Sequence, residues 1–367
     1  MDLVPTEVLE IILKKISSVK DIINCSKTCI KWKNLIVVMF KDKGKFVIIS
    51  NEGHEIVDLF NPNSKYELLV GNIPRVRGAM GSLFQKSPII CGGQYVYDYG
   101  YGSETTQNCV VIGQPKVKMN MRVKRCYASS VALNQNKIWI VGGKPFSKGG
   151  KSSTEFIKLG QPSVKGPDMP FEIYGHSMIQ NDENSIYIIG GKQSYYDSDN
   201  FWMLSDSKKV WIVDPTNGFQ IKEGPSLNAK RCGHGCAKMT TNGKAILVVA
   251  GGGNVDSEYL DTVEIFDPST SNSKWTPGPN IPLKLEGLAL ITSPTGKGVI
   301  AMGGEKESCE NSKAMFELSD SMEWTRLEQT LQYDHHYPLV IPIPDELVYE
   351  KVKLKNKCKR RKLSRKT

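Results

Sequence analysis

The run Cys232-Gly-His-Gly-Cys236 is where a metal or a nucleophile would first be sought in this 367-residue chain, which holds nine cysteines and five histidines. Two thiolates and an imidazole so close together are part of a tetrahedral zinc set, but four ligands are needed, and no second ligand pair stands elsewhere to complete one. The pattern reads instead as small side chains on a strand entering a tight core. The histidines at 54, 176, 234, 335 and 336 form no HExxH, and spacing alone picks out no Ser/His/Asp set. No catalytic residue, metal or cofactor is expected. Recognition chemistry is better represented. Gln94–Thr106 carries Tyr95, Tyr97, Tyr99 and Tyr101, and Lys192–Ser207 carries Tyr195, Tyr196, Phe201 and Trp202. Exposed tyrosine and tryptophan give large contact area at low entropy cost. A second group is cationic: Arg75, Arg77, Arg122, Lys124, Arg125, Lys230 and Arg231. Guanidinium groups hold carboxylate and phosphate bidentately, so such a ring would suit an acidic or phosphorylated peptide, although Asp197 and Asp199 dilute the field. The candidate target-binding residues are Arg75, Arg77, Tyr97, Tyr99, Tyr101, Arg122, Arg125, Tyr195, Tyr196, Trp202 and Arg231. The competing reading packs the aromatics on their own loops.

What positions them is a repeat. Five apolar runs end in paired glycines at Gly92-Gly93, Gly142-Gly143, Gly190-Gly191, Gly251-Gly252 and Gly303-Gly304, at intervals of 50, 48, 61 and 52 residues. A β-branched or aromatic run of four or five residues is a buried strand, and paired glycines permit a tight bend. The same order recurs around each run: a first strand, the double-glycine strand, a loop, a third strand and a fourth. The fullest copy runs Val263-Glu264-Ile265-Phe266-Asp267-Pro268, then Lys274-Trp275-Thr276-Pro277-Gly278-Pro279. This resembles the kelch repeat, whose period is about 50 residues. The resemblance implies a mainly β fold, a kelch-type β-propeller. In kelch units an arginine ahead of the first strand often bridges neighbouring blades, a second reading for the arginines above. Five units starting near Gly78 leave Phe46–Ser50, Glu55–Phe60 and Tyr66–Val70 at one end and Tyr337–Ile341, with Glu346–Tyr349, at the other. Pooled, these make a sixth blade, so six blades are expected over residues 45–350, closed by strands from both ends and without exposed edges.

Residues 1–40 differ, with helical periodicity and no glycine. Pro5 suits a first helical turn, and Ser18-Val19-Lys20-Asp21 resembles a capping box opening a second helix. Val8, Leu9, Ile11, Ile12, Leu13 and Ile16 cover roughly 200° of the first helix, about twice what one packing face explains. So short a module with surplus apolar surface implies a partner. Val4-Pro5-Thr6-Glu7-Val8-Leu9-Glu10-Ile11-Ile12-Leu13, Asp21-Ile22 and Thr28-Cys29-Ile30-Lys31-Trp32-Lys33-Asn34-Leu35-Ile36 resemble the three-helix F-box, with Val4 in place of its opening leucine. That resemblance implies a substrate receptor of an SCF-type cullin ubiquitin ligase, whose partners are the adaptor and cullin and an unidentified protein target. It assigns Pro5, Leu9, Ile12, Leu13, Ile22 and Trp32 to the adaptor. The alternative is a kelch scaffold without a role in turnover.

The net charge of +10 lies in the tail. Residues 351–367 hold seven lysines, three arginines and no acid, leaving 38 basic and 38 acidic side chains on the rest. The tail reads as disordered and resembles a nuclear-import signal. A neutral body makes nucleic acid an improbable partner. With no signal-peptide pattern, no apolar run of about 20 residues and an odd number of scattered cysteines, the expectation is a soluble protein of the cytoplasm, the nucleus or both, with reduced thiols.

Overall fold

The structure, a computed structural model, describes residues 6–350 except 17, 29–31, 33–34, 37–38, 41–42, 69–72, 97–102, 134–136, 146–150, 197–201 and 255–257. Side chains are also left undescribed at 6–8, 28, 194–196, 202–203 and 349–350. The candidates Pro5, Tyr97, Tyr99 and Tyr101 and the basic tail lie outside the described residues.

Each double-glycine run is the second strand of an antiparallel sheet whose four strands follow in chain order. The first sheet is Met80–Phe84, Ser87–Cys91, Asn108–Val111 and Met119–Asn120. The second is Ser129–Leu133, Lys137–Val141, Thr154–Ile157 and Val164–Lys165. The third is Ser177–Asp182, Ser185–Ile189, Val210–Asp214 and Gln220–Glu223. The fourth is Gly235–Thr241, Lys244–Ala250, Val263–Phe266 and Thr276–Gly278, and the fifth Glu286–Thr292, Val299–Glu305, Met315–Leu318 and Trp324–Arg326. The second strands are apolar over the runs that lead into the double glycines because both their faces are covered there: Pro88–Cys91 and Ile138–Val141 are buried at every residue. Apolar clusters fill the space between neighbours. Met80 and Ile89 meet Ile138 and Ile140, Trp139 and Ile173 meet Ile188, Tyr187 meets Val249 and Trp275, and Val248 meets Leu288 and Ala301.

A further sheet closes the arrangement from both chain ends: Leu339–Pro342 pairs with Lys45–Ser50, which pairs with Gly53–Asp58. Tyr66–Leu68 pairs with Val348–Glu350 beside it. The innermost strands touch in cyclic order, with Leu339–Pro342 against both Met80–Phe84 and Glu286–Thr292. The ring closes at the level of single amides. At or just ahead of the start of each inner strand, one backbone N–H donates to the carbonyl of its counterpart in the preceding unit: Tyr127 to Gly78, Gly175 to Tyr127, Gly233 to Gly175, Gly287 to Gly233 and Tyr337 to Gly287, each at 2.8 Å, and Gly78 to Tyr337 at 3.2 Å. All six residues have φ between 49° and 65°, a left-handed conformation that costs least at glycine, which fills four of the positions.

The double glycines join each sheet to the next. The second of each pair donates its N–H across the seam, Gly93 to Arg125, Gly143 to Ile173, Gly191 to Arg231, Gly252 to Leu285 and Gly304 to His335, at 2.8–2.9 Å. A Cβ on Gly142 would collide with the carbonyl oxygen of Ile173, so the backbone itself occupies the space of the missing side chain.

Two expectations change. The aromatic stretches read as loops are hairpins: Gln94–Val96 pairs with Ser103–Thr105, and Lys192–Tyr196 pairs with Trp202–Asp206 and with Glu172–Tyr174. The closing strands are also shifted, to Leu339–Pro342 and Val348–Glu350, with a 3₁₀ turn at Asp345–Leu347 between them.

The N-terminal segment contains α1 (Thr6–Lys15) and α2 (Val19–Thr28), and Trp32, Leu35, Ile36 and Met39 have helical backbone. The expected cap opens α2: the Asp21 N–H donates to Ser18 Oγ at 3.1 Å and Ser18 Oγ donates to the Asp21 carboxylate at 2.8 Å. Leu9 and Leu13, four residues apart on one face, pack with Ile22, Trp32, Leu35 and Ile36. Four residues assigned above to an outside partner, Leu9, Leu13, Ile22 and Trp32, are thus 0–8 % exposed inside the module's own core. Ile12 remains open at 43 %, beside Ile11 at 55 %.

Candidate functional site

The residues that flank the amide ring and those that follow the double glycines converge on one mouth. There they enclose a cavity of about 350 Å³. Arg77, Lys144 and Lys192 come from the first three units and Glu286 and Glu305 from the fifth, so the cavity has a cationic and an acidic wall. Tyr127 stands in the cationic wall, with the Arg77 guanidinium 5.9 Å and the Lys144 ammonium 5.4 Å from its ring centre. Lys144 also lies 4.7 Å from the Tyr174 ring. Cation–π contact of this kind holds a cation without neutralising it. On the acidic side, Tyr337, whose ring meets that of Tyr127 edge-on at 4.8 Å, donates its hydroxyl to Glu286 at 2.7 Å, and Tyr259 donates to Glu305 at 2.5 Å. His336 Nδ1 is 3.3 Å from Glu305. Burial holds the His336 imidazole down at about 4, so the ring is neutral near pH 7 and leaves the charge of Glu305 uncompensated.

Burial also pushes the Tyr127 hydroxyl up to about 12 and the thiols of Cys126 and Cys232, which line the same cavity, to about 11 and about 12. These thiols are protonated at neutral pH and therefore poor nucleophiles. Among the described residues, Arg77 Nε and His336 Nε2 are buried without a hydrogen-bond partner, and no three His, Cys, Asp or Glu side chains converge as a metal set. The Cys232-Gly-His-Gly-Cys236 run disperses: His234 Nε2 bonds Ser177 Oγ at 2.6 Å, and Cys236 Sγ lies 3.6 Å from the Met178 carbonyl. The arrangement can bind charged and hydrogen-bonding groups.

Of the arginines expected to face a ligand, Arg77 alone lines the cavity. Arg75 and Arg122 are exposed and lie outside its lining. Arg125 and Arg231 are corrected to structural groups, since both are fully buried. Arg125 pairs with Glu155 at 2.8 Å and donates to the Gly142 and Ser153 carbonyls, and Arg231 pairs with Glu264 at 2.8 Å and donates to the Gly251 and Thr262 carbonyls. Each thereby ties its seam to the double glycine of the following sheet. Desolvation lowers the pKa of both, opposed by the carboxylate beside each. Tyr195, Tyr196 and Trp202 sit in the hairpin that begins at the cavity-lining Lys192, with Tyr196 opposite Trp202. Sequence reading missed Tyr127, Lys144, Lys192, Glu286, Glu305 and His336. The signal was positional: Lys144, Lys192 and Glu305 each directly follow a double glycine, and Glu286 and His336 directly precede a ring residue.

The kelch motif family matches residues 231–282, from the seam arginine through the double glycine to the Trp275 strand. With the mainly β, antiparallel sheet arrangement, the match supports a kelch-repeat protein, and kelch motifs build protein-interaction scaffolds. No curated protein matches the chain.

Proposed function

We propose that this chain is a six-bladed kelch-type propeller that holds a target protein at the charged mouth, fused to an F-box-like module that docks on the adaptor of an SCF-type cullin ubiquitin ligase. It is a receptor without chemistry of its own. The carrying observation is the surface of α1: Leu9 and Leu13 satisfy the module's core, while Ile11 and Ile12 stay 55 % and 43 % exposed beside them. Two adjacent open isoleucines on a small helical module are the surplus that a partner would cover. The junction supports the same reading, because a receptor must hold its target at a fixed distance from the ligase. Val19 at the start of α2 is fully buried among Phe46, Ile48, Ile300, Met302 and Leu327 of the propeller. The Glu317 carboxylate accepts the Val19 N–H at 2.9 and 3.1 Å.

The test is co-purification of the full chain with the cullin adaptor. The double variant Ile11→Asp/Ile12→Asp, whose side chains lie outside the core, is expected to lower adaptor recovery at least tenfold while leaving thermal unfolding unchanged. Recovery equal to wild type would overturn the ligase reading. It would leave the second reading, a kelch scaffold without a role in turnover, which the motif at 231–282 favours by itself. Under that reading partner abundance does not rise when this protein is depleted. We also propose that the tail 351–367 directs the protein to the nucleus.

A further inference from the structure

Five charged groups face one cavity at the mouth without cancelling. Arg77 and Lys144 have no carboxylate partner among the described residues, and Lys192 has only Asp206, at 3.9 Å. Glu286 and Glu305 are bonded by the hydroxyls of Tyr337 and Tyr259, which are neutral donors, and by His336. Surface charges of opposite sign normally pair when they can, yet among the described residues neither Arg77 nor Lys144 pairs with Glu286 or Glu305. A ligand of one sign gains against one wall and is repelled by the other, whereas a ligand carrying both signs gains against both, and only in one orientation. The volume of about 350 Å³ lies at the low end for ligand cavities and suits one or two side chains rather than a folded element. Gln94 and Lys192, which line it, also begin the two aromatic hairpins, so chain on either side of an inserted residue pair has surface to run along.

We propose that the mouth recognises an extended peptide segment in which an acidic and a basic residue stand within two positions of each other. The carboxylate would lie against Arg77 and Lys144 and the cation against Glu286 and Glu305. The inference rests on the propeller being the target-binding part of the chain.

The experiment uses the full chain and five fluorescent dodecapeptides, acetylated and amidated, identical except for the central triplets Asp-Gly-Lys, Lys-Gly-Asp, Asp-Gly-Asp, Lys-Gly-Lys and Ser-Gly-Ser. Fluorescence anisotropy is expected to show one mixed peptide binding at least tenfold tighter than the three unmixed ones. Glu286→Gln should abolish the advantage over Asp-Gly-Asp, and Arg77→Glu/Lys144→Glu should move the preference to Lys-Gly-Lys. Arg77→Gln/Lys144→Gln, expected to lose the mixed preference, serves if the charge reversal melts early. Asp-Gly-Asp binding as tightly as the best mixed peptide, or no peptide binding at millimolar protein, would overturn the proposal. Adaptor co-purification is measured on the same variants. Failed peptide selectivity with adaptor binding intact sinks the recognition proposal alone, whereas adaptor binding that survives Ile11→Asp/Ile12→Asp sinks the ligase reading alone.

Discussion

Glu317 is 1 % exposed between the N-terminus of α2 and Ser293, whose hydroxyl donates to it at 2.9 Å. Burial raises its carboxyl from 4.5 to about 7, against the lowering effect of the hydrogen bonds from Ser293, Val19 and Lys20. The folded chain therefore keeps a proton up to about pH 7 that the unfolded chain releases near 4.5. Between those values the folded state binds more protons, so this group's contribution to stability is full below about 4.5 and is lost as pH rises to 7. The loss should amount to roughly 3 kcal/mol, at about 1.4 kcal/mol per pH unit. Glu317→Gln keeps an acceptor for Val19 without an ionisation, and denaturant unfolding at a series of pH values from 4.5 to 7.5 is expected to show a flatter stability curve for the variant. Parallel curves would mean that Glu317 is not the titrating group. The seam arginines work by the same balance, since each is withdrawn from water and compensated by one carboxylate and two carbonyls.

At the scale of the element, the double-glycine turn both ends a buried strand and docks it on the next sheet. Gly142 has φ of 65°, and the Ile173 carbonyl fills the place of its side chain while accepting the Gly143 N–H. Gly160 has a similar φ of 68° with nothing within 4 Å of an added Cβ. Gly160→Ala thus isolates the backbone cost, about 1–2 kcal/mol. Gly142→Ala adds displacement of the seam and is expected to cost about 2 kcal/mol more, since overpacking typically costs 1–3 kcal/mol. Equal losses in chemical denaturation would show that close approach contributes nothing. The aromatic hairpins belong to this scale too, since position after a glycine pair points to a loop, whereas Gln94–Val96 and Lys192–Tyr196 each pair as strands.

For the whole molecule, the closing sheet is the point where stability depends on both ends of the chain. Lys45 reaches Asp345 at 2.5 Å, and His335 bridges Ser50 and Glu55 at 2.8 Å on each side. Removal of 338–367 takes away the inner strand Leu339–Pro342 and opens two sheet edges, so the truncated chain is expected to aggregate and to lose a single cooperative melt on size-exclusion chromatography and calorimetry. Removal of 351–367 leaves every bond of the amide ring in place and should melt with the full chain. If both truncations melt alike, closure of the ring does not set stability.

The order of strands in the five glycine-punctuated units was legible in the amino-acid sequence, because buried strands and tight turns impose local composition at fixed intervals, whereas the strands expected to pool from both ends into one blade divide into a three-stranded and a two-stranded sheet. The cap on α2 was legible for the same reason. What only the tertiary structure decided was which charges are seen by a ligand. Arg77 directly precedes the ring residue Gly78 and lines the cavity, whereas Arg231, like Arg125, stands two before its ring residue and is sealed against Glu264. Leu13 and Ile12 are neighbours, yet one is core and the other is open. Exposure depends on what other parts of the chain place against a residue, and those parts lie up to some 300 positions away, as with Glu317 against Val19. Local spacing sets which residues share a face, but not what another part of the chain places against that face.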